Sequence, residues 1–210
     1  MKKVIYTCIT NNYDTLKEPK VITKGWEYIC FSDVYIESKT WKVILLGNTS
    51  NMKLEQRKKK IYNKFILDDY DLSIWVDGSI TVNCDLDNFC FMNHNSDFSL
   101  MKHPSRDCTY SEASACVMLG KDNVKTIHNQ IGRYRLEGLP YHNGMVATGV
   151  MIRTHTDEVK QFCINWYKEV FNGSIRDQLS FNYCNWIYPI DYTTFTFNVL
   201  ANEFKIHSHK

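Results

Sequence analysis

The string Leu72-Ser73-Ile74-Trp75-Val76-Asp77-Gly78-Ser79-Ile80 has the residue types for phosphate and metal chemistry. An apolar run ends on a carboxylate, a glycine and a short hydroxyl. A carboxylate at a strand end can hold Mn²⁺ or Mg²⁺ against a diphosphate, because these ions take oxygen ligands and share their coordination with phosphates. The run from Val76 to Ser79 is therefore a candidate donor-binding segment. Gly78 lets backbone approach a phosphate, and Ser79 can hold a metal-bound water or a sugar oxygen. An ordinary strand-to-turn Asp-Gly looks the same. Ser79 also stands where an Asp-x-Asp pair would place its second carboxylate, so a metal at Asp77 and Ser79 needs a further ligand. In the closing Phe204-Lys205-Ile206-His207-Ser208-His209-Lys210, His207 and His209 share a face if the chain is extended. Imidazole suits Mn²⁺. His207 is the preferred ligand, and a solvated terminus is the alternative.

Other polar runs follow apolar ones. Thr10-Asn11-Asn12-Tyr13-Asp14 comes after the first apolar segment and can grip a uracil ring by stacking and amide hydrogen bonds. Phe31-Ser32-Asp33 offers a carboxylate for ribose hydroxyls. Both also read as turns. Lys53, Arg57, Lys60 and Lys64 form one basic stripe on a helix. Either it is a solvated face, or Arg57 and Lys60 meet the diphosphate where charge builds as the sugar leaves. His103-Pro104-Ser105-Arg106-Asp107-Cys108-Thr109-Tyr110-Ser111-Glu112 and Arg176-Asp177-Gln178 carry carboxylates that can hold sugar hydroxyls or act as a general base. The competing readings are a structural Arg–Asp pair and a helix start at Asp177.

These residues need a scaffold. Strands are expected near Val4–Ile9, Glu27–Phe31, Lys42–Leu46, Leu72–Val76, Phe98–Met101 and Val146–Ile152, with helices over Leu54–Leu67 and Asp157–Phe171. That alternation predicts an α/β fold, with site loops at the carboxyl ends of strands. Residues 83–144 read as less regular and substrate-facing. The 210 residues, 44% hydrophobic and 23% charged, suit one globular domain. A net charge of +2 gives no reason to expect a nucleic-acid partner, and none is expected. No apolar run is long enough to span a bilayer, and the start lacks a signal-peptide core. Eight cysteines without a Cys-x-x-Cys pair read as buried free thiols in a reducing, cytoplasmic setting. No Gly-x-Gly-x-x-Gly follows the first strand, which disfavours a nicotinamide dehydrogenase.

Taken in order, four strings resemble one family: Ser-Ile-Trp-Val-Asp-Gly-Ser-Ile from Ser73, His-Pro-x-Arg-x-Cys-x-Tyr-x-Glu-Ala from His103, Gly-Leu-Pro-x-x-Asn-Gly-Met-x-x-Thr-Gly-Val-x-x-Arg-x-His from Gly138, and Arg-Asp-Gln-Leu-Ser-Phe from Arg176. It is the glycosyltransferase-like family of plant mucilage and pectin proteins, which has bacterial and large-virus members. The short form is similar to the amino-terminal transferase domain encoded by large algal viruses, which would place it in a host cytoplasm. The resemblance implies a GT-A fold, a single Rossmann-like domain over 1–210 with a mixed central sheet flanked by helices. Its nucleotide-binding half would be about 1–82 and its acceptor-side half about 83–210. By matching position, Asp77 would hold the metal, and Thr7, Asn11 and Asp33 would line the nucleoside pocket. Arg57 would face the donor, Glu112 and the 143–149 string the sugar, and Asp177 with Gln178 the reaction centre. The expected activity is metal-dependent transfer of a hexosyl or deoxyhexosyl group from a UDP-sugar such as UDP-glucose to a carbohydrate acceptor. Further domains of a longer chain are possible partners. The alternatives are a non-catalytic nucleotide-sugar or carbohydrate-binding module and a metal-dependent phosphoesterase.

Overall fold

The computed structural model describes residues 1–209. A seven-stranded sheet is built from β1 (Lys3–Ile9), β2 (Trp26–Ser32), β3 (Lys42–Leu45), β4 (Leu72–Val76), β6 (Phe98–Lys102), β7 (Val146–Thr154) and β8 (Tyr192–Phe195). Their order is β3-β2-β1-β4-β7-β6-β8. Only β7 runs against its neighbours. A two-stranded ribbon pairs β5 (Ile80–Val82) with β9 (Phe204–Ile206). The helices are α1 (Met52–Ile61), α2 (Lys64–Asp69), α3 (Leu86–Asn93), α4 (Thr109–Met118), α5 (Val124–Leu136), α6 (Asp157–Asn172), α7 (Gln178–Ile187) and α8 (Phe197–Glu203). Among the described residues, no helix is long and apolar enough to cross a membrane.

Period-two alternation splits the core across the sheet. Val4, Tyr6 and Cys8 of β1 join Trp75, Ile61, Phe162, Trp166 and Phe181 on one face. Ile5 and Ile9 join Ile74, Val76, Phe89 and Phe204 on the other. With both faces covered, β1 and β4 read as nearly unbroken apolar runs, which is why they were visible in sequence. All eight cysteines are free, and seven of them are buried.

The fold differs from the sequence reading in four places, one of them helix α8, which was not expected. The helix expected over Leu54–Leu67 is two helices, broken at Tyr62 and Asn63. The stretch 83–144, read as less regular around the expected strand at Phe98–Met101, also contains α3, α4 and α5. Strands β5, β8 and β9 were not anticipated. Each is only three or four residues long, too short to show periodicity.

Candidate active site

Strand order reverses at β1: β2 and β3 lie on one side and β4 on the other. Ligands of open α/β sheets bind outside the carboxyl ends of strands at such a switch point. A cleft of about 260 Å³ opens there, between the loop after β1 and the loop after β4. Thr10, Asn11, Tyr13 and Asp14 line one wall, and Asp77 and Gly78 the floor. Lys53, Gln56, Arg57 and Lys60 of α1 line another wall, facing Lys121, Thr148 and the 175–178 turn. Because β7 is antiparallel, its early residues reach the same edge, and Gly149 O accepts from Asp77 N at 2.8 Å.

The two loops touch closely. A Cβ on Gly78 would lie 2.7 Å from Ile9 Cγ1 and 3.2 Å from Asp14 Cβ, so no larger residue fits without displacement. Asn11 and Asn12 adopt left-handed φ values of 55° and 50°, which asparagine tolerates best among residues with a side chain. Asp33 Oδ2 accepts from Asn11 N at 2.8 Å and fixes that turn.

At the centre is a lysine between two carboxylates. Lys60 is 2% exposed, and its ammonium lies 3.0 Å from Asp77 Oδ1, 2.9 Å from Asp177 Oδ2 and 3.1 Å from Thr148 Oγ1. Those three partners use the three protons an ammonium carries. Asp77 Oδ1 also accepts from Trp75 Nε1 at 2.8 Å, and Thr148 donates to Asp177 at 2.9 Å. Arg57 Nε lies 3.7 Å from Asp177 Oδ1 and donates to Ile175 O at 2.7 Å. Burial by itself would raise the pKa of Asp177. Lys60, then Arg57, then Arg176 outweigh it and hold the carboxyl well below the usual carboxylate range. Asp177 is therefore a fixed anion and a poor proton acceptor near neutrality.

Several assigned residues lie outside the cleft or are held by other side chains. Lys60 lines the cleft, but its ammonium is bound between carboxylates; an isolated stripe gave no sign of the opposing acids. Asp177 sits at the start of α7 but makes no side-chain cap there. Gln178 lines the cleft, and its Nε2 donates to Val146 O at 3.3 Å. Glu112 is not in the cleft. It accepts from Arg106 Nε and, at 3.6 Å, from Cys116 Sγ, whose thiol in turn meets Arg176. The side chain of Val76 points into the core under the sheet. Thr7 and Asp33 lie behind the lining residues, yet Thr7 Oγ1 and Asp33 Oδ1 are buried without a partner. Ser79 is buried and its carbonyl receives His207 N at 2.9 Å, which leaves it off the cleft wall. His207 Nε2 meets Thr81 Oγ1 at 3.0 Å on the ribbon, whereas His209 lines the cleft. The two histidines therefore do not share a face, because the extended conformation ends at Ile206. His209 bonds Asp14 Oδ1 at 2.8 Å and packs 4.6 Å from the Tyr13 ring. Lys121 and Gln56 were missed altogether; nothing in their local sequence marks them.

A divalent cation has suitable donors in Asp77, Asp14 and His209. Such ions often take one or two protein ligands and complete their shell with phosphate and water. Among the described residues, no three His, Cys, Asp or Glu side chains converge into a preformed cage.

A mostly parallel seven-stranded sheet flanked by helices, with a cleft at its switch point, is consistent with a Rossmann-like glycosyltransferase fold. The sequence model of the TOD1/MUCI70 glycosyltransferase-like domain matches residues 37–206, and the chain belongs to that family. The probable hexosyltransferase MUCI70 of Arabidopsis thaliana is 24% identical over 212 residues, which cover 85% of this chain and 36% of the relative. The chain thus spans about a third of that relative's length.

Proposed function

We propose that this chain transfers a hexosyl or deoxyhexosyl group from a UDP-sugar to a carbohydrate acceptor with the help of Mn²⁺ or Mg²⁺. The observation that carries the reading is the Asp77–Lys60–Asp177 bridge at the floor of a cleft whose rim is basic. In this reading Thr10, Asn11 and Tyr13 hold the uracil ring. Thr7 Oγ1 and Asp33 Oδ1, buried and unsatisfied, support a polar ligand behind that wall. Lys53, Lys121, Arg176 and the outer nitrogens of Arg57 set a positive field where the diphosphate departs. A divalent cation held by Asp77, with His209 or Asp14 beside it, would neutralise the leaving diphosphate as a Lewis acid. Asp177 remains ionised and offsets positive charge on the transferred sugar, and Gln178 positions a sugar hydroxyl.

Thermal melts with UDP, UDP-glucose and GDP, each with and without Mn²⁺, test the reading. A ligand that binds only the folded state raises its Tm; at ~100 times Kd the gain is about 2.7 kcal/mol. UDP compounds should raise Tm, more with Mn²⁺, and Asp77→Ala should abolish the metal-dependent part. No shift with any uridine nucleotide would sink it. UDP-sugar binding without transfer to any carbohydrate would leave the binding-module alternative.

A further inference from the structure

Arg153 on β7 is wholly buried, and among the described residues it pairs with no carboxylate. Its Nη1 donates to Ile61 O at 3.0 Å and to Cys163 Sγ at 3.5 Å. Its Nη2 donates to Lys60 O at 3.2 Å and to the Tyr6 hydroxyl. Tyr6 in turn donates to Lys60 O at 3.0 Å. Lys60 and Ile61 are the last two residues of α1, where carbonyls lack intrahelical partners. A cation at that end also complements the helix dipole.

An apolar side chain would fill this volume without the desolvation cost of a buried guanidinium. A helix running on through Tyr62 would satisfy the same carbonyls with no arginine. The break after Ile61 and the arginine therefore belong together. We infer that Arg153 is a positioning residue, which holds the carboxyl end of α1 so that the Lys60 ammonium stays between Asp77 and Asp177. The same strand supplies Thr148, so β7 fixes Lys60 at both its backbone and its ammonium. The kinetic consequence rests on the proposed transfer reaction; the placement of Lys60 does not.

A double-mutant cycle tests the inference. Arg153→Lys keeps the charge but loses the planar fork that spans two carbonyls. It should lower kcat ~10-fold, leave the donor KM within about 3-fold, and Lys60→Met should lower kcat ~100-fold. The double variant should be no slower than Lys60→Met. Losses that multiply to ~1000-fold would make Arg153 independent of Lys60 and overturn the inference. Native-state amine labelling read by mass spectrometry gives a second readout. Labelling of Lys60 should rise ~10-fold in Arg153→Lys with Lys53 on the same helix unchanged. Unchanged Lys60 labelling overturns the inference, whatever the activity. Faster labelling in a protein whose parent shows no transfer would support the positioning role and remove the proposed reaction instead. Should Arg153→Lys not fold, Tyr6→Phe perturbs the same contact and should shift both readouts in the same direction. No shift in that variant counts equally against the inference.

Discussion

Replacing Lys60 with methionine removes the ammonium between Asp77 and Asp177 and keeps the aliphatic stem. Each carboxylate oxygen lies within 3.0 Å of that nitrogen, so the two oxygens are at most about 6 Å apart. Two unit charges at that distance repel by ~3 kcal/mol at an effective dielectric of about 20. Removing one partner of a buried ion pair typically costs ~3–5 kcal/mol. Some compensation survives. Arg57 remains 3.7 Å from Asp177, Trp75 still donates to Asp77, and the Asp77 side chain is 37% exposed and screened. The expected loss is therefore near the bottom of that range, ~3 kcal/mol. For a chain of this size it corresponds to a Tm lower by roughly 6–12 °C at pH 7. The pH dependence gives a sharper test. In the parent, Lys60 is the largest influence opposing the burial of Asp177, so the carboxyl resists protonation. Without Lys60 its folded pKa rises, and protonation as the pH falls relieves the penalty. The gap between parent and variant should narrow from pH 7 to pH 4.5, read by urea denaturation at each pH. A gap under about 1 kcal/mol at pH 7, or one that stays constant with pH, would refute the bridge.

Asp177→Asn should lower Tm by roughly 3–8 °C, because Lys60 and Arg57 lose a buried counter-charge, and should cut transfer ~10²-fold. A variant with the parent's Tm would return Asp177 to the role of a helix-start residue. Gly78→Ala forces a methyl against Ile9 and Asp14 and should cost ~1–3 kcal/mol while weakening donor binding, measured by calorimetry. Parental donor affinity would show that the two loops give way without consequence. Burial lowers His94 to about 4, and burial followed by the charge of Arg153 lowers His155 to about 4. Both stay neutral in the folded state, so their stabilisation is full above the unfolded value near 6.5 and is lost as pH falls toward 4. Stability should fall between pH 6.5 and 4 by up to about 1.4 kcal/mol per pH unit for each histidine, and a flat urea profile over that window would contradict it.

The amino-acid sequence alone determined the class of fold and the edge on which the site lies. Apolar runs such as Val4–Ile9 and Leu72–Val76 mark strands buried on both faces, and chemistry-bearing residues follow their carboxyl ends. The same local logic found Asp77, Gly78 and the Thr10–Asp14 loop, because each borders its own strand. Where helices end was less visible: Leu54–Leu67 keeps its apolar spacing through the break, and the residue that meets the freed carbonyls, Arg153, lies 92 residues from Ile61. Tertiary structure alone decided what the charges do. Lys60 reads as one member of a basic stripe until α1 packs against β1 and α6, which brings its ammonium to Asp77, Thr148 and Asp177. Glu112 has the composition of a site residue but folds behind the wall, against Arg106 and Cys116. His207 and His209 share a pattern, yet the end of the β5–β9 ribbon sends one to Thr81 and the other to Asp14. A charge acquires its role from the groups opposite it in the folded molecule, and those come from parts of the chain that no local pattern connects.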